Sequence, residues 1–439
     1  MNALLTILFV TVAWIIISGT YLKWHPIFSL LSATLLFGFL TDMKSNILLE
    51  TIAQGFGSLV GSIGLVVALG SILGVQLEAS GSVQKLGNVL MNRMRSKPSL
   101  GIAFLGMLLG IPVFADSGFL VLASLMKSMA ASSGTPLPVM SLSLAGGLYT
   151  THTLVPPTPG PVAAIGNVGA ADAIGLVMLL GIIVSIPVTL VAYFFANSRG
   201  KQLPSINHEP IMEQTSDNSG SATQALMLIL LPIVLIAGGS TLELFSFSGI
   251  IVEIISFLGK PLIALLISVA VGAILFRKSA TTKVIEKGVV QAGPIILLTG
   301  CGGALGAVLK ASQLSSVVSA WVTNQSLSGI GFLLVAFAIG AMLKTAQGSS
   351  TSSLVITSAI LSPLLIGAGF DSAFELSILV LAIGAGAMTV SHANDSYFWV
   401  VSQITGFNLK SGYRGMTMMT LLQGIVALMM VLLLYILLV

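Results

Sequence analysis

The chain is short of charge. Across 439 residues, Lys, Arg, Asp and Glu make up 7%, against 55% hydrophobic residues. Soluble domains usually carry about 25% charge, so this chain cannot clothe itself in a polar surface, and lipid must be its main solvent. Cysteine is nearly absent. Cys301 stands alone, which excludes an intramolecular disulfide and any Cys-x-x-Cys or Cys/His metal spacing. Phosphate-loop, His-Glu-x-x-His and Ser-x-x-Lys patterns are missing, and the Gly-rich runs GNVGAAD and GAGAM lack the strand–helix context of a dinucleotide turn. Enzyme chemistry, cofactor, resident metal and ATP hydrolysis are therefore not expected. The formal net charge of +4 is no nucleic-acid signal, because the basic residues sit at segment ends.

What is present is apolar length. Leu4–Gly19, Leu226–Gly239, Leu262–Phe276 and Met416–Val439 are uncharged apolar runs. Each makes most or all of a spanning helix of about 20 residues. A spanning β-barrel would alternate polar and apolar residues instead. The first run lacks a positive leader and a small-residue cleavage site, so it reads as a retained helix. The fold class expected is an all-α polytopic membrane protein of about 12 spans.

The long hydrophilic stretch at Ser198–Ala222 divides the chain into a first membrane repeat (1–197), a linker (198–222) and a second repeat (223–439). GVQLEASG at Gly74–Gly81 matches GAVLKASQ at Gly306–Gln313, Phe119–Leu122 matches Ser353–Ile356, and His152 matches His392, in the same order. Arg93, Arg95 and Lys97 follow one copy of the first motif's helix, whereas Arg277, Lys278, Lys283 and Lys287 precede the other. Basic loops stay cytoplasmic, so the two helices run in opposite directions and the repeats are inverted. With Lys23, Lys85, Arg199 and Lys201, eleven of 18 basic residues fall inside. Lys44, Lys260 and Lys310 fall outside, and Lys127, Lys344, Lys410 and Arg414 stay unassigned. A cytoplasmic linker and two external termini follow.

Two segments per half break the apolar rule, and they pair across the repeat. The first pair is Gly110–Ser133 and Lys344–Pro363, each a polar Gly/Ser/Asp/Thr tip followed by roughly ten apolar residues, which suits a re-entrant hairpin. Helix N-termini at such tips bind anions; the alternative is a Ser/Thr-rich helix packed on its neighbours. The second pair is Gly146–Asp172 and Gly384–Gln403. Pro156, Pro157, Pro159 and Pro161 forbid a continuous helix in one, and the run Ser391–Asp395 interrupts the other. A discontinuous helix frees backbone groups for substrate or ion; an extramembrane Pro-rich loop is the plainer reading. Ionisable residues inside spans are functional candidates by default. Asp116, His152, His392 and Asp395 lie in these segments and are the proton-coupling candidates, with hydrogen bonding to backbone as the alternative. Asp172 reads as a helix cap.

At these motifs the chain resembles the gluconate permease family of gluconate:proton symporters, within the ion-transporter superfamily. The resemblance covers essentially the whole chain. It rests on Thr151-His152 with Pro156-Pro157-x-Pro159-Gly160-Pro161, on Ala346-Gln347-Gly348-Ser349-x-Thr351, and on Ser391-His392-x-Asn394-Asp395 with Phe398-Trp399. Thr158 stands where the family usually has His, and Asp116 where it usually has Glu. The resemblance implies a homodimer in the inner membrane that moves gluconate, another aldonate, a D-glycerate-like acid or D-serine. Read together, the residues and the resemblance predict proton-coupled symport of a small organic-acid anion, with sodium coupling as the rival. The anion would sit among Ser117, Thr158, Asn167, Gln347, Gly348, Ser349, Ser350, Thr351 and Asn394. Lys344 or helix dipoles would supply positive charge.

Overall fold

The computed structural model describes residues 3–94, 96–204, 220–244, 249–276, 282–312 and 329–439. Arg95, Arg277, Lys278, Gln313 and most of the linker lie outside the described residues, as does the side chain of Arg93. Secondary structure among the described residues is helical throughout, as apolar chains in lipid require, since each backbone group must find its partner within the chain.

The first half runs α1 (Ala3–Thr20), α2 (Pro26–Leu40), α3 (Ser45–Ala79), α4 (Ser82–Arg93), α5 (Pro98–Leu109), α6 (Ala115–Ser133), α7 (Leu137–Leu154), α8 (Pro159–Val168) and α9 (Ile174–Arg199). The second runs α10 (Ala222–Leu244), α11 (Ile250–Gly259), α12 (Pro261–Leu275), α13 (Thr282–Ala311), α14 (Ile330–Gln347), α15 (Ser350–Leu361), α16 (Ala373–Met388), α17 (Ser396–Thr405) and α18 (Met418–Leu438). Among the described residues, seven helical segments are long and apolar enough to cross a membrane, or eight if the bent α11–α12 pair is one span. Four further apolar helices are shorter, at 10–17 residues. The all-α membrane fold is as expected, with much of the interior built from the broken helices that the sequence indicated.

The order of elements recurs across the linker. A long helix (α3, α13) is followed by helix–tip–helix (α5–α6, α14–α15), then helix–break–helix (α7–α8, α16–α17), then a long closing helix (α9, α18). The two long helices pack face to face. Gly55 lies against Gly303 and Ala307, Gly300 against Phe56, and Gly288 against Ile72. Glu78, at the end of α3, pairs with Lys287 near the start of α13 at 3.4 Å. Low numbers on one helix meet high numbers on the other, so α3 and α13 run antiparallel. Their glycines let the backbones approach closely, which is how helices associate in lipid where apolar burial supplies little.

The breaks fall where the sequence placed them. Helix α7 stops at Leu154, ahead of the prolines, and α8 restarts at Pro159. Pro at the start of a helix costs nothing, since that N–H has no intrahelical partner. Helix α16 stops at Met388, and Asp395 caps the restart at α17 by accepting from the Tyr397 N–H at 3.0 Å. The tips differ from expectation in one respect. Their outgoing legs span 19 residues each, Ala115–Ser133 and the nearly continuous Ser350–Ala368, rather than about ten. Interior serines and Lys127 dilute the apolar signal of the first leg, and Pro363 lies inside a 3-10 turn that continues the second.

The two halves interlock. Outgoing leg α15 packs on α8 of the other half, and α6 packs on α17. Asn167 of α8 fixes the first crossing: its Nδ2 donates to the Val355 carbonyl at 3.0 Å and to Ser358 Oγ at 2.9 Å, and its own carbonyl accepts from Ser362 Oγ at 2.6 Å.

Candidate functional site

Both tips and both broken helices meet at a cavity of about 180 Å³. Phe114, Ala115 and Asp116 come from the first tip, Tyr149 and His152 from the end of α7, Gly348–Thr351 from the second tip, and Asp395–Tyr397 from the second break. Of the residues expected at the site, Asp116, His152, Gly348, Ser349, Ser350, Thr351 and Asp395 line it together.

Three helices begin at this cavity: α6 at Ala115, α15 at Ser350 and α17 at Ser396. A helix N-terminus leaves backbone N–H groups without intrahelical partners and carries roughly half a positive charge. Ser349 caps α15 through the Ser352 N–H at 3.2 Å, and Asp395 caps α17. Phe114, the residue preceding α6, has no side-chain acceptor to offer, so α6 begins at the cavity without a side-chain cap from that position. Gly348 takes φ +73°, and a Cβ there would run into the Asn394 backbone. Only glycine therefore brings the tip this close to the second break.

Beneath the cavity lies a fully buried cation. Lys344 Nζ donates to Asp395 Oδ2 at 2.5 Å and to the Gly348 carbonyl at 3.1 Å, and sits 5.7 Å from the centre of the Tyr149 ring. Asp395 also accepts from Ser391 Oγ at 2.5 Å. Its carboxylate is thus held by an ammonium, a hydroxyl and a backbone N–H. Asp116 is placed differently: its one described side-chain partner is Ser396, whose hydroxyl donates to Oδ2 at 2.9 Å. That contact spans the cavity from one half to the other. His152 Nδ1 is buried without a hydrogen-bond partner, its ring beside Phe114.

Other expected residues lie outside the cavity. Ser117 faces Glu78. Thr158 turns back on its own break, donating to the Val155 carbonyl at 2.5 Å. Asn167 holds the helix crossing described above. Gln347 lies against Gly19 of α1, its amide buried and unpartnered. His392 and Asn394 reach the end of α14: His392 Nε2 lies 3.0 Å from the Thr345 carbonyl, and Asn394 Nδ2 donates to the same oxygen at 2.8 Å. The carbonyls at a helix C-terminus lack intrahelical donors, so these two residues anchor the second break to the second tip.

Sequence reasoning missed two tyrosines. Tyr149 and Tyr397 stack with centroids 5.4 Å apart, forming one wall. Tyr149 hydroxyl hydrogen-bonds Ser350 Oγ at 2.7 Å, and Tyr397 hydroxyl donates to the Ala145 carbonyl at 3.0 Å. Their polar-tipped rings beside broken helices were the available signal. No group of three or more His, Cys, Asp or Glu side chains is placed to hold a metal among the described residues.

Comparison with known proteins agrees with this architecture. A permease of Haemophilus influenzae is 31% identical over 88% of this chain and 82% of its own length. A gluconate permease of Pseudomonas aeruginosa is 28% identical over 97% and 96%, and the D-serine transporter DsdX of Escherichia coli 28% identical over 96% of each. Among solved structures, the YdaH transporter of Alcanivorax borkumensis superposes with a TM-score of 0.63 over 90% of this chain and 89% of its own, at 15% identity, a likeness of fold. The sequence profile of the GntP family permeases matches residues 3–437, and this chain, a multi-pass membrane permease and not an enzyme, belongs to that family.

Proposed function

We propose that the protein is a proton-coupled symporter of the inner membrane for a small hydroxylated organic-acid anion. The observation that carries this reading is the convergence of three helix N-termini and one lightly bonded carboxylate, Asp116, on a single cavity. The N-termini supply an anion seat without an arginine. Lys344 and Asp395 cancel each other, so Asp116 is the carboxylate left to bind and release a proton beside the substrate, with His152 in the same lining as the other candidate. Protonated Asp116 admits the anion without two negative charges in one small space. Seryl and threonyl hydroxyls at Ser349, Ser350 and Thr351, with Tyr149 behind them, suit substrate hydroxyls.

The antiparallel α3–α13 pair and the recurring element order support two inverted repeats, with tips that enter and leave the membrane as hairpins. Alternating access then moves the tips and breaks relative to that pair. A second reading rests on Asp116 itself: a carboxylate opposite an anion seat also suits a zwitterion such as D-serine.

Uptake into proteoliposomes tests these readings. An imposed inward proton gradient should drive accumulation of radiolabelled D-glycerate or gluconate, collapse with a protonophore, and persist when choline replaces sodium. Loss on sodium removal would replace the proton by sodium. D-serine as the sole effective competitor would select the zwitterion.

A further inference from the structure

A second cavity lies away from the tips. A groove of about 970 Å³ opens between the end of α9 and the start of α18. Arg199 and Arg414 stand at its rim, with Ser198 and Gln202 beside them. Val191, Phe194, Phe195, Leu203, Met418 and Leu422 line the rest. Helix α9 ends where the chain enters α18, and the two run antiparallel: Leu203 lies beside Gly415, and Ala192 and Met419 meet at Gly146. From Arg199 to Val191, and from Arg414 to Leu422, is eight residues, or about 12 Å of helix at 1.5 Å per residue. Charge therefore sits at one end and an apolar trough runs from it. The apolar walls are open, with Phe194 63% and Met418 46% exposed. Neither arginine forms an ion pair among the described residues.

Two guanidinium forks recognise phosphate oxygens in pairs, and an acyl chain fills an apolar trough of this length. The shape is amphipathic in the same order as a lipid, headgroup at the charged rim and tail toward the bilayer. We infer that this groove is a binding site for an anionic phospholipid, its phosphate between Arg199 and Arg414 and an acyl chain along Phe194, Phe195, Met418 and Leu422. A zwitterionic lipid offers the same phosphate but carries its own cation into the guanidinium pair, so the site discriminates by headgroup charge.

Purified full-length protein, exchanged into phosphatidylcholine nanodiscs and titrated with phosphatidylglycerol, tests this by native mass spectrometry of retained lipid. Phosphatidylglycerol should be retained at least tenfold over phosphatidylcholine. Arg199→Gln/Arg414→Gln should bring the two to parity while the protein stays monodisperse. If that pair of changes prevents folding, Leu422→Trp, which fills the trough and leaves both charges, should lower retention of phosphatidylglycerol by a similar factor. Equal retention of the two lipids by the unsubstituted protein would overturn the inference. So would full competition by soluble glycerol phosphate, which would make the groove a phosphate-ester site without a lipid tail.

Discussion

Lys344 and Asp395 can be separated by mutation. Lys344 is fully buried, and the Asp395 side chain is only 6% exposed. Losing one partner of such a pair strands the other charge away from water, at a cost of about 3–5 kcal/mol. Lys344→Met leaves Asp395 with Ser391 and the Tyr397 N–H but no counter-charge. Asp395→Asn preserves the cap of α17 yet strands the ammonium on the Gly348 carbonyl. The double variant strands neither. Its cost should fall below the sum of the single costs by about 2–3 kcal/mol, near the top of couplings seen between contacting residues. Unfolding of the purified protein in mixed micelles, followed by tryptophan fluorescence against denaturing detergent, gives the four corners of the cycle. Additive costs would show that the pair does not hold the tip, and the proposal that Asp116 carries the proton because Lys344 and Asp395 neutralise each other would fall with it.

Three further outcomes follow from the same geometry. Asp116→Asn should abolish gradient-driven accumulation while sparing counterflow exchange in proteoliposomes; loss of exchange in a folded protein would make Asp116 a substrate ligand instead. Gly348→Ala forces a side chain into a left-handed position against Asn394, a strain of about 1–3 kcal/mol, and should eliminate uptake; wild-type uptake would place the tip away from the substrate. Tyr149→Phe removes the hydroxyl's hydrogen bond to Ser350, worth about 1 kcal/mol, and its contact with the Lys344 ammonium, so KM should rise at least about fivefold; an unchanged KM would remove that wall from the site.

The broken segments were legible because prolines and a five-residue polar run cannot be mistaken for lipid-facing helix. Asp116 and the Ser349–Thr351 tip were legible for the same reason. Lys344 was harder to place, because a lysine at the end of an apolar helix reads equally well as one reaching for the interface. Its role depends on a carboxylate 51 positions away. His392, Asn394 and Gln347 share motifs with true cavity residues, yet neighbouring residues at a chain break point in different directions. There, sequence proximity says little about which groups face inward and which satisfy the end of α14. Arg414 likewise could not be assigned to a side until α18 was seen beside α9, which places it with Arg199.

The crossing of α6 onto α17 and of α15 onto α8 has a consequence for how such a chain can be assembled. Each half lends its tip to the other half's break, so a single half exposes two unmatched surfaces and encloses nothing. Expressed as separate polypeptides split within 205–219, the halves should be inert alone and regain uptake together. On the proposed reading of two inverted repeats, a founding gene of half this length would have worked only as two copies inserted in opposite senses in the same membrane, joined later by the linker.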